Sequence, residues 1–173
     1  MYRTITIDKK DYKFEYTIEA ALYKDGIDRL IEFIGGTFGA QSGKEIADQL
    51  EDKEDREKVM EKMIENLKNE ITNLPNTALT CFYMGFLEHH GPEGDSSISS
   101  MRDAKRLIGR FFEEQPEDGV KDFASLLAMC IDQMSEDGFF KTIGLEKVLG
   151  QNTEEKPNRA ARRASTKQSG TKS

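Results

Sequence analysis

The chain has 173 residues, 36% hydrophobic and 33% charged, with no Trp and a mean hydropathy of −0.66. A unit of about 150 residues buries roughly two-thirds of its unfolded surface, so a self-sufficient core is attainable, small and wrapped in charged helices. The net charge of −7 divides unevenly: from Gln151 onward six basic side chains stand against two acidic ones, and the acidic remainder argues against a folded nucleic-acid surface because it repels phosphate.

Residues 2–7 and 12–16 both alternate polar and apolar side chains. Ile5 and Ile7 share one face, and Tyr12, Phe14 and Tyr16 share another, with DKKD (8–11) as the loop; this predicts a β-hairpin. Two strands alone are marginal in water, so the hairpin must lie against helices or another subunit. The same N-terminal residues hold no apolar signal-peptide core, and no export is expected. Thr17 is placed to cap a helix carrying Ile27, Leu30, Ile31 and Ile34, which Gly35 and Gly36 are expected to stop. The following GGTFGAQSGKE fails as a phosphate loop. Phe38 stands where the motif needs glycine, and Glu45 stands where it needs a hydroxyl, so the stretch is expected to be an inter-helix loop.

Residues 44–73 contain the charge run EDKEDREK and then Met60, Met63, Ile64, Leu67, Ile71 and Leu74 at steps of three and four, the pattern of an amphipathic helix. Pro75 is expected to end it. Residues 78–87 are apolar nearly all round and belong at the centre of the fold, and Gly85 allows another helix to come close. That run is far shorter than the roughly 20 residues that cross a bilayer. His89 and His90 point about 100° apart on a helix and have no ligand partner three or four residues back, so no metal site is expected; a last helical turn stopped by Gly91 is the simpler reading. Cys81 and Cys130 lie inside apolar helical patterns and are expected to be small buried hydrophobes in a reducing compartment.

Ser100 and Asp103 resemble a capping box for a helix with Ala104, Leu107, Ile108, Phe111 and Phe112 on its inner stripe, broken at 115–119. Val120, Phe123, Leu127, Ile131 and Met134 predict another helix, ended by Glu136, Asp137 and Gly138, with a short apolar segment from Phe139 to Leu149. Residues 151–173 carry no large apolar side chain and are expected to be a disordered basic tail. The predicted architecture is α+β and predominantly helical. A hairpin (2–16) is followed by a bundle of about five or six helices (17–149), giving one domain over 1–150 and a tail beyond.

Four stretches in order, YRTITIDKKDYKFEYTIEAAL, LPNTALTCFYMGFLEHHG, AKRLIGRFFEE and DFASLLAMCIDQMSEDGFFKTIGL, resemble the tail assembly chaperones of long-tailed phages and prophages of Gram-positive bacteria. The resemblance covers nearly all of 2–149, sharpest at FYMGFLEHHG and EDGFFKTIGL, while 35–70 contributes nothing diagnostic. It implies a binding protein without chemistry or cofactor, working in the host cytoplasm. Such a protein would coat the long helical tape measure protein, keep it soluble, help recruit tail tube protein, and be absent from the finished tail. It also implies a longer frameshifted form that engages the tube protein, with this chain as the short form.

A holdase for an apolar helical client needs adaptable hydrophobic surface, and Met60, Met63, Phe111, Phe112, Phe139 and Phe140 are the candidates, though each also lies on or beside a stripe of the kind that forms core. Self-association fits a client long enough to need many copies. Two other readings make different predictions. A small regulatory protein reaching nucleic acid through 151–173 predicts steeply salt-dependent binding. A metal-dependent hydrolase on His89 and His90 predicts inactivation by chelators.

Overall fold

The computed structural model describes residues 2–49 and 52–146. Strand β1 (Arg3–Ile7) pairs antiparallel with β2 (Lys10–Phe14), Arg3 opposite Phe14 and Ile7 opposite Lys10. The connection is tighter than the predicted four-residue loop: Lys10 and Asp11 join the ladder, and Asp8 and Lys9 alone make the turn with φ of 52° and 61°. Left-handed backbone at both central residues matches the natural twist of the strands, which is why two residues suffice. The Asp8 N–H donates to the Glu114 carboxylate at 3.0 Å, tying the turn to the helices. Lys9 has a Cβ that this conformation penalises, so Lys9→Gly is expected to raise stability by about 1 kcal/mol in denaturant titrations.

The inward face of the hairpin is buried at Ile5, Ile7, Tyr12, Phe14 and Tyr16, as the alternation predicts. Thr17 caps α1 (Ile18–Leu22), its hydroxyl accepting from the Glu19 N–H at 3.3 Å. A break at Tyr23 separates α1 from α2 (Lys24–Gln49), so the single helix expected from Thr17 is two. Nor do Gly35 and Gly36 stop anything: α2 runs straight through them and through the expected loop. Each glycine costs about 1 kcal/mol in a helix interior, but a Cβ on Gly36 would occupy the space of the Glu70 side chain, so packing against the next helix offsets that loss.

That helix, α3 (Lys53–Met84), starts on an Asp52 cap whose carboxylate accepts from the Glu54 N–H at 2.8 Å. It contains Pro75, against expectation. Proline leaves the Ile71 carbonyl without its helical donor; both residues are exposed, so water serves that carbonyl, and the buried turns beyond hold the helix on course. From Thr77 to Leu87 all but Leu79 are buried, so this segment is the central element the sequence predicts. Gly85 admits the Phe14 ring of the hairpin rather than another helix, and the Gly85 carbonyl accepts from the Glu15 N–H at 2.9 Å.

The short α4 (Leu87–His90) ends at Gly91, then α5 (Met101–Glu114) begins at Ser100 and α6 (Phe123–Glu136) at a capping box of Asp122 and Ser125. Val120 therefore lies outside α6. Gly138, with φ of 67°, turns the chain into α7 (Phe139–Thr142). The chain is α+β and predominantly helical, with seven helical segments among the described residues. It divides into two compact units, Met1–Phe139 and Phe140–Ser173. Only 140–146 of the second are described; Val148, Leu149 and the predicted basic tail 151–173 lie outside the described residues. No helix among those described is long and apolar enough to cross a membrane.

Candidate partner-binding surface

Helices α2 and α3 pack against each other as a long helical hairpin, and α3 carries two adjacent stripes. Val59, Met63, Asn66 and Glu70 recur at steps of four and three and are half-buried. This stripe faces α2, because Glu70 lies over Gly36 and shares a pocket of about 320 Å³ with Arg29, Glu32 and Thr77. The stripe beside it, rotated by about one residue's 100°, is Met60, Ile64, Leu67, Ile71 and Leu74 at steps of four, three, four and three. Such an uninterrupted apolar heptad normally closes against a helix. Here it is bare: Met60 is 37% exposed, Ile64 58%, Leu67 40% and Ile71 70%. The arm is thus inverted, with a partly polar stripe inside and the apolar stripe outside.

At its lower end the bare stripe runs into a groove of about 360 Å³, floored by Phe33 of α2 and Leu67, Ile71 and Leu74 of α3 and bounded by Ala124 and Ala128 of α6. The two alanines keep that rim low. Glu70 and Phe33 line both this groove and the polar pocket beside it. Burial, and then the Glu32 carboxylate, push the Glu70 carboxyl above its ordinary range. The groove's other walls are apolar apart from Thr37.

The six sequence-predicted contact residues scatter. Met60 lies on the bare stripe and Met63 on the neighbouring half-buried one. Phe111 and Phe139 must be corrected: both are buried, Phe111 with its ring 5.6 Å from Phe82 and Phe139 with its ring 5.4 Å from Tyr16, so neither is offered to a partner. Phe112 is half-buried, edge-on to Phe123 at 5.5 Å, and Phe140 is half-buried in the second unit. Sequence reasoning passed over Ile64, Leu67 and Ile71, although their heptad spacing was the available signal.

The histidines hold the hairpin in place. His89 Nε2 meets Glu15 Oε1 at 2.6 Å. His90 is buried, and its Nε2 accepts the Lys13 N–H at 3.0 Å; the ring proton therefore sits on Nδ1, which points at Asp95 Oδ2 2.9 Å away. The two rings serve different carboxylates. Among the described residues no group of three or more His, Cys, Asp or Glu side chains is placed to hold a metal ion. Cys81 and Cys130 are buried and free, and burial pushes the Cys130 thiol up to about 12, far from the thiolate form that nucleophilic chemistry requires.

No protein-family model, curated protein or solved structure matches this chain.

Proposed function

We propose that this protein is a tail assembly chaperone that binds an apolar helical client, the tape measure protein, along the outer stripe of α3. The observation that carries this reading is the bare heptad of Met60, Ile64, Leu67 and Ile71 running into the groove at α6. A client helix laid there buries its own apolar stripe against four large side chains, the helix-in-groove mode of recognition. Exposed Glu57, Lys58, Glu61, Lys62, Glu65 and Lys68 surround the stripe and keep the coated client in solution. The reaction is association alone, with no bond made or cut, and the setting is the host cytoplasm. Tail tube protein joins through a longer form of the chain.

Co-expression tests this. The tape measure protein is expected in the soluble fraction with the full chain and with a chain lacking 151–173, and in the pellet with Ile64→Lys/Ile71→Lys. If the double variant solubilises the client as well as the wild type does, the stripe is not the client site. If the wild type leaves the client in the pellet, the chaperone reading fails.

A further inference from the structure

The outer stripe of α3 is complementary to itself in both shape and charge. When two copies of the stripe are laid antiparallel, Ile64 of each meets Leu67 of the other and Met60 meets Ile71, giving four apolar layers over about 18 Å of helix. The positions that then flank these layers are Glu61 and Lys68. Seven residues apart on one edge of the stripe, they face each other across the two-fold axis, Glu61 to Lys68 of the second copy and Lys68 to Glu61. Both are exposed, and neither is engaged in an ion pair among the described residues, where Lys58 is paired with Glu54 and Lys53 with Glu57. An isologous contact requires that one patch match itself, and the opposite charges on this edge satisfy that condition.

We propose that, without client, the chain is an antiparallel homodimer closed through Met60, Ile64, Leu67 and Ile71, with two Glu61–Lys68 pairs between the copies. Each arm is already ordered by α2, so association does not have to form the helix as well, and two helical hairpins joined face to face make a four-helix arrangement. The dimer hides the surface that would otherwise gather unrelated apolar segments, and a client has to compete for it.

Sedimentation equilibrium of the full chain at low ionic strength decides the matter. The wild type is expected to be a reversible dimer and Ile64→Asp a monomer whose melting curve matches that of the wild type diluted to the monomer, since in a single copy that side chain is exposed. Glu61→Lys alone and Lys68→Glu alone are each expected to weaken dimerisation about tenfold through like-charge contacts. An equimolar mixture of those two variants, and the doubly reversed chain, are expected to return to the wild-type constant. A monomeric wild type, a dimer indifferent to Ile64→Asp, or charge reversals that neither weaken singly nor restore in combination would each overturn the proposal. None of these results depends on client solubility, so the proposal and the chaperone reading fail separately.

Discussion

Phe82→Ala is expected to cost about 3–5 kcal/mol, which for a protein of this size lowers the melting temperature by roughly 10–20 °C. Phe82 is fully buried at the crossing point of the fold. Its ring lies 4.8 Å from Phe86 at 90°, 5.8 Å from Phe14 of the hairpin and 5.6 Å from Phe111 of α5. Truncation removes a large apolar side chain from water-free surroundings and leaves a cavity shared by three elements, none of which can collapse into it without pulling away from another partner. The matching control is Ile64→Ala at concentrations where the chain is monomeric, expected to change stability by no more than about 0.5 kcal/mol because that side chain is 58% exposed in a single copy. Denaturant titration of the two variants separates the residues that hold this protein together from those it offers outward. Equal losses at that dilution would mean that the α3 stripe is packed within the single copy.

That division was only partly legible in the sequence. Strict alternation placed Tyr12, Phe14 and Tyr16 on one buried face, and the all-round apolar character of 78–87 placed that segment at the centre. Both signals are local and strong: a one-residue shift would expose the whole strand set, and a helix apolar all round has no face to give to water. The breakers misled. Gly35, Gly36 and Pro75 each weigh against helix locally, yet the helices run through them: Gly36 packs against Glu70 of α3, and Pro75 is followed by the buried turns from Thr77. The candidate surface was hidden for a related reason. Two stripes on α3 differ by a rotation of one residue, and periodicity alone does not say which of them faces α2. The polar members of the inner stripe, Asn66 and Glu70, made the other look like the core side. Phe111 and Phe139 were misplaced because a paired phenylalanine reads the same in a core as on a sticky surface.

The second large effect is expected at His90. His90→Ala leaves the Lys13 N–H without its acceptor and removes the edge-on ring contacts with Tyr12 at 5.3 Å and Phe86 at 6.1 Å, a loss of about 2–3 kcal/mol at neutral pH. The acid limb changes as well. The Asp95 carboxyl is held down at about 2, first by hydrogen bonds from the Ser97 side chain and backbone N–H, the latter at 2.9 Å, and then by His90. A carboxyl depressed in the folded state adds stability that is fully present above its ordinary value near 4 and is lost as pH falls toward 2. Without His90 the Ser97 bonds remain, so the Asp95 titration moves part of the way back up, and the variant sheds this contribution at a higher pH than the wild type. Acid melts between pH 2 and 6, with NMR titration of the Asp95 carboxyl, measure both changes. An unshifted Asp95 titration in a variant that keeps wild-type stability would mean that the His90 ring is not the link between strand β2 and the 91–97 loop. The hairpin would then rest on Phe14 over Gly85 and on the Tyr16 N–H, which donates to the Asp137 carboxylate at 2.8 Å.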